Sequence, residues 1–166
     1  DLDNWRNICS WLSTDTPTVP KDWHDSQKEF LIWIIGRIWP GRYPSLEKAL
    51  LNYKAVLQDF LNVFGKHIDH DAENSEFLCT RKFYQIREWD EERYHRLIEQ
   101  YEAHECLVND LFFELTRAAN YVCDEVREAL FSGYRIQEGA LLIERHGVGW
   151  ELKSVSVRVE YRGDER

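Results

Sequence analysis

The chain has 166 residues, enough for one domain with a substantial core, and its 43% hydrophobic and 14% aromatic content excludes intrinsic disorder. Its net charge of −9 repels phosphate backbones and acidic lipids, so nucleic-acid binding is disfavoured and no membrane partner is expected. The most apolar run, from Phe30 to Trp39, is too short to cross a bilayer.

The four cysteines show neither a disulfide pattern nor a zinc pattern. They are Cys9, Cys79, Cys106 and Cys123, and no two of them form a CxxC pair. Free thiols of this kind indicate a reducing, cytoplasmic setting. The chain begins at Asp1 rather than Met, which predicts that residue 1 is not the natural start.

The first forty residues predict two helices. Apolar residues recur at helical spacing over 5–12, and the Thr- and Pro-rich stretch 13–20 is typical of a linker. Ser26 and Glu29 form an S-x-x-E capping box that predicts the start of the second helix, and Pro40 marks its end.

The second helix is apolar on every face between Phe30 and Ile35. Such a helix is either enclosed by its own chain or partly covered by another protein. Trp33 and Trp39 lie six residues apart and would project about 120° from each other. We therefore weigh complete burial against a surface on which one indole anchors a partner or a second copy of the chain.

Two later helices carry apolar residues at heptad spacing, over 45–64 and over 90–131. We expect a bundle in which they pack at a shallow angle, with a kink or break of the longer helix near His104–Glu105. The polar stretch 66–76 predicts a loop, and 77–88 is weakly helical. The residues predicted to be buried are Leu50, Leu57, Phe60, Leu111, Phe112, Leu115 and Val122.

After Gly133 the apolar period changes to two, which predicts strands at 134–137, 140–144 and 150–161, the last with a bulge near Lys153. The predicted fold class is α+β, mainly α, in a single domain, 1–166. An antiparallel bundle of four or five helices, one of them long, fills 1–132. A three-stranded antiparallel β-unit packs on it over 133–166.

The densest group of metal-ligand residue types is His67, His70 and Asp71. This spacing suits zinc or iron if a fourth ligand comes from elsewhere. The alternative is a polar loop that happens to hold two histidines. We expect no bound cofactor.

His104 and Glu105 interrupt the apolar seam of the long helix. A buried carboxylate beside an imidazole is a candidate acid–base pair. The alternatives are a polar defect that fixes the bundle register and an exposed site at a helix break.

A polar stripe follows one face of the long helix at alternating steps of four and three residues. It is either a solvated face with intrahelical ion pairs or a recognition face. Its members are Asp110, Glu114, Arg117, Tyr121 and Asp124, and Asn120 flanks it.

No P-loop, GxGxxG, GxSxG, HExxH or EF-hand motif occurs in the sequence. We therefore predict a non-enzymatic protein–protein interaction module, as an accessory subunit or the helical part of a larger assembly. Its partner would be another protein or a second copy. The alternative is a metal-dependent hydrolase that uses His67, His70 and Asp71.

Overall fold

Four helices and five short strands make up the described part of the chain. The computed structural model describes residues 2–70, 76–146 and 154–162. The fold is mainly helical with small antiparallel sheets, which confirms the predicted class in outline. The helices are α1 (Trp5–Leu12), α2 (Lys21–Ile35), α3 (Pro44–Gly65) and α4 (Glu91–Ala129). The strands are β1 (Thr18–Pro20), β2 (Ile68–His70), β3 (Phe77–Thr80), β4 (Leu142–His146) and β5 (Ser154–Arg158).

Helices α2, α3 and α4 pack in antiparallel order. Residues near the start of α2 contact the end of α3, since the rings of Trp23 and Phe60 lie 6.0 Å apart. Residues near the end of α2 contact the first half of α3, with Phe30 and Tyr53 separated by 5.9 Å. Phe60 also lies 6.0 Å from Phe112 of α4. These ring contacts place the core between the three helices.

Helix α1 closes one side of this core through a tryptophan. Trp5 is buried, stacks on Phe112 at 5.2 Å, and donates its indole N–H to the Thr116 hydroxyl over 3.0 Å. A buried indole needs such a partner, because an unmatched N–H would keep its desolvation penalty.

The predicted core is confirmed at Leu57, Phe60, Phe112 and Leu115, which are all buried. The other three predicted residues are only half-buried. They are Leu50, Leu111 and Val122.

Helix α4 is continuous over 39 residues, so it has no break near His104–Glu105. The Asp90 side chain caps the helix by accepting the Arg93 backbone N–H over 2.9 Å. At ~1.5 Å per residue the helix is about 58 Å long and outruns α3. Phe83 and Tyr84, which follow β3, pack on its first half at Tyr101.

Helix α2 starts earlier than the sequence predicted. It begins at Lys21, directly after Pro20, so Ser26 and Glu29 lie inside the helix rather than at its start. The Ser26 hydroxyl donates to the Trp23 carbonyl over 3.0 Å and caps nothing. Pro20 directly precedes the helix and has a fixed φ. It marks the start of α2 in place of the predicted capping box.

A three-stranded sheet in the first half of the chain contradicts the prediction that strands are confined to the C-terminal segment. Its order is β1-β3-β2, with Thr18 opposite Cys79 and Ile68 opposite Thr80. Residues predicted as linker (13–20), loop (66–76) and weak helix (77–88) supply these strands. Strands of three or four residues are too short to show a period of two, so only the pairing reveals them.

The C-terminal unit has two described strands rather than three. Strands β4 and β5 pair antiparallel, with Ile143 opposite Val157. The predicted strand 134–137 is wrong, because these residues form consecutive turns in which Gly139 N–H donates to the Arg135 carbonyl. The predicted bulge near Lys153 lies outside the described residues.

Candidate functional site

An apolar surface covers the end of α2 and the residues that follow it. Ile32 is 70% exposed, Trp33 45%, Ile35 58% and Ile38 96%, while Trp39 is half-buried. We call these five residues the α2 patch. Contiguous exposed apolar surface of this kind marks interaction sites on folded proteins.

The α2 patch exists because α2 is covered on one side only. Trp23, Gln27 and Ile34 face the core and are buried. The helix is apolar all round between Phe30 and Ile35, so its remaining faces present hydrocarbon to solvent. Complete burial within the chain, which was one alternative for Trp33, does not occur.

Aromatic stacking holds the α2 patch in one arrangement. The Trp33 ring stacks on Phe30 at 5.8 Å and meets Trp39 edge to face at 6.4 Å. The Arg37 guanidinium lies 4.5 Å from the centre of the Trp33 ring. Such contacts reduce the side-chain entropy that is lost when a partner binds.

Two positive charges lie beside the α2 patch in an otherwise acidic chain. Arg37 and Arg42 are the only charged residues between Phe30 and Tyr43, and both are exposed. Neither pairs with a carboxylate in the described part of the chain. Arg37 covers Trp33, and Arg42 lies 5.2 Å from the Tyr43 ring.

The central residues of the polar stripe on α4 contact the chain's own C-terminal segment. Asn120 and Tyr121 are buried. Tyr121 meets Tyr161 at 5.9 Å, and the Arg117 guanidinium lies over the same ring at 4.3 Å.

Three charged members of the stripe form ion pairs within the helix. Glu114 accepts from Arg117 over 2.9 Å, and Asp124 accepts from Arg127. Asp110 is exposed. Recognition by the stripe stays a prediction.

His67, at the start of the first sheet, lies against α4. Its ring is 4.2 Å from Phe83 and 4.8 Å from His104. Burial, followed by nearby positive charge, lowers the pKa of His67 and of His104. His104 is buried and its Nε2 has no hydrogen-bond partner among the described residues.

The predicted metal ligands are not brought together where the structure describes them. His67 contacts two rings, His70 is exposed on β2, and Asp71 lies outside the described residues. Within the described ranges, no three side chains of metal-ligand type are grouped to hold an ion.

The Glu105 side chain interacts with Tyr101, and His104 interacts with His67. Burial raises the pKa of Glu105, and a hydrogen bond with the Tyr101 hydroxyl acts in the opposite direction. The Tyr101 hydroxyl donates to the Asp15 carbonyl over 3.3 Å, so Tyr101 joins α4 to the segment before β1. Glu105 Oε1 is buried and has no hydrogen-bond partner among the described residues.

Sequence reasoning singled out the two indoles of the α2 patch and missed its most exposed members. The exposed fractions of Ile32 and Ile38 are larger than that of either tryptophan. The only signal for the patch in the sequence was the all-apolar run of α2. Such a run does not show which face of the helix the rest of the chain covers.

The fold and this surface define a mainly helical protein that presents an exposed, basic-rimmed apolar helix end. No known protein family, characterised protein or solved structure matches the chain. Among the described helices, none is long and apolar enough to span a membrane.

Proposed function

We propose that this chain is a non-enzymatic protein-interaction module that binds a partner protein through the α2 patch. The observation that carries the proposal is the exposure of four large apolar side chains in seven residues, from Ile32 to Ile38. Isolated exposed apolar residues are ordinary, whereas a contiguous group at a helix end is not.

The charges around the α2 patch favour an acidic partner. Arg37 and Arg42 contribute two positive charges, and the segment 30–43 contains no carboxylate side chain. Two copies of the patch facing each other would bring these like charges together, which is unfavourable. Trp and Arg are also the residue types that most often dominate binding energy. We therefore propose an acidic segment with apolar anchors rather than a second copy.

Photo-crosslinking tests the surface directly. Ile38→benzoylphenylalanine in the full chain should capture a partner from extracts of the source cells. The matched control is Leu107→benzoylphenylalanine on α4, which is 46% exposed but lies outside the patch, and it should not capture that partner.

Titration of the captured partner, once purified, then tests the chemistry. An Ile32→Ser, Ile38→Ser double variant should bind at least about tenfold more weakly, because apolar anchors are lost. Its thermal stability should be unchanged, because both side chains are exposed. Affinity should also fall as salt is raised, since exposed charges are screened. Equal affinity of the double variant would contradict the proposal.

Two other experimental outcomes would replace the proposal that the α2 patch binds a partner protein. A crosslink between two copies at position 38, with a dimer in sedimentation, would mean self-association. One equivalent of zinc or iron in the purified protein, lost in a His67→Ala, His70→Ala variant, would instead favour the metal-dependent hydrolase.

A further inference from the structure

A second site lies on the inner side of α2. A cavity of about 360 Å³ opens between α2, α3 and α4. Ten residues line it, and none of them is acidic or basic. Most of the wall is hydrocarbon and aromatic ring, including Phe30, Leu50, Tyr53 and Val122.

The polar groups in the wall are few and neutral. Burial raises the pKa of the Cys123 thiol and of the Tyr134 hydroxyl, so both remain protonated at neutral pH. Ser26 donates its hydroxyl proton to the Trp23 carbonyl of its own helix. A charged ligand would find no counter-ion in this wall and would lose its hydration.

Gln27 supplies a buried amide with a fixed direction. Its side chain is 4% exposed and lines the cavity. The Tyr53 hydroxyl donates to Gln27 Oε1 over 3.2 Å. This is the only hydrogen bond of the Gln27 amide to a described residue, so its Nε2 donors remain available to a molecule in the cavity.

The cavity is large enough for a ligand rather than a single water. An apolar cavity of about 150 Å³ is known to stay dry and to bind benzene. Cavities of roughly 300 Å³ and above, apolar with a few placed polar groups, are typical small-molecule sites. We propose that this cavity binds a small, neutral, mostly apolar molecule with one hydrogen-bond acceptor oxygen, the size of a two-ring aromatic or a medium-length alkyl chain.

Phe30 links the cavity to the α2 patch. Phe30 lines the cavity and stacks on Trp33. The proposal does not depend on the interaction function, because the ligand contacts the inner side of α2 and not the exposed isoleucines.

Linear primary alcohols from butanol to decanol are suitable probes, since each has one oxygen and a chain of adjustable length. Calorimetric titration of the full chain should show one site. Affinity should rise about three- to fourfold per added methylene and then level off when the cavity is full. Replacing the amide in Gln27→Met should weaken alcohol binding about fivefold or more while alkane binding is kept.

A filling variant locates the site. Val122→Phe should abolish binding, because the larger side chain occupies the cavity, and Leu107→Phe, outside the cavity on the same helix, should not. If Val122→Phe unfolds, Leu50→Phe on α3 serves the same purpose. The proposal is overturned by an absence of saturable binding, by affinity that keeps rising with chain length, or by loss of binding in the Ile32→Ser, Ile38→Ser variant instead.

Discussion

Single buried polar side chains join the C-terminal segment to the helices. Asn120 on α4 is buried, and its amide bonds the backbone of two separate segments. Its Nδ2 donates to the carbonyls of Leu141 (3.0 Å) and Val159 (2.9 Å), and its Oδ1 accepts the Leu141 N–H over 2.9 Å. One residue therefore matches three backbone groups that would otherwise be left without partners.

Replacing this amide should be costly. Asn120→Ala should lower the free energy of unfolding by about 2–4 kcal/mol, because buried backbone groups lose their partners. Urea unfolding measures the change. Asn109→Ala, at an exposed position on the same helix, should change stability by no more than about 0.5 kcal/mol. An equal loss in the free energy of unfolding at both positions would contradict a stabilising role of the Asn120 hydrogen bonds.

At the scale of elements, the seam between α3 and α4 holds the fold together. Leu57 of α3 and Leu115 of α4 are completely buried in the same cluster. Helix α4 is continuous through His104 and Glu105. The His104 ring meets the ring of His67, and Tyr101, one turn before Glu105 on the same helix, donates to the Asp15 carbonyl.

Leu57→Ala and Leu115→Ala should each destabilise the protein by about 2–5 kcal/mol, because each leaves a cavity as well as losing transfer energy. Thermal or urea unfolding provides the measurement. Leu51→Ala removes a leucine of α3 that is 47% exposed, and it should cost much less. An unchanged melting temperature in either core variant would mean that the seam is wrongly placed.

At the scale of the whole molecule, the surface carries a local positive charge, whereas burial keeps three histidines of the interior neutral. The acidic chain carries a local basic rim at the α2 patch. In the interior, burial lowers the pKa of His24, His67 and His104 from the ordinary value of 6.5. The folded protein therefore holds these rings neutral where the unfolded chain would protonate them.

Stability should consequently fall as the pH is lowered from 6.5 towards the folded pKa values. In that window the unfolded chain binds more protons than the folded one. The slope is at most about 1.4 kcal/mol per pH unit for each histidine. Urea unfolding at pH 7.5, 6.5 and 5.5 measures it.

A His104→Leu variant should show a smaller pH dependence than the wild type, whereas His95→Leu, on the exposed surface of α4, should not. Glu105 also affects the pH dependence of stability, because its raised pKa favours the folded state as the pH falls. This contribution is the same in the wild type and the variants, so comparing them removes it. Identical slopes in the wild type and His104→Leu would contradict the role given to this histidine.

The sequence by itself determined the helical elements and the α3–α4 seam, because helix periodicity is local and extends over many turns. It also showed that the end of α2 is apolar on all faces, which is the origin of the α2 patch.

Only the tertiary structure decided the sheet of β1, β3 and β2, the exposed side of α2 and the cavity. Thr18 pairs with Cys79, sixty-one positions away, and strands so short leave no readable pattern. The exposure of Trp33 depends on which neighbours cover α2. The role of Asn120 depends on Leu141 and Val159, whose carbonyls accept its hydrogen bonds. Contacts between distant segments are set by packing of the whole chain, so no local period reveals them.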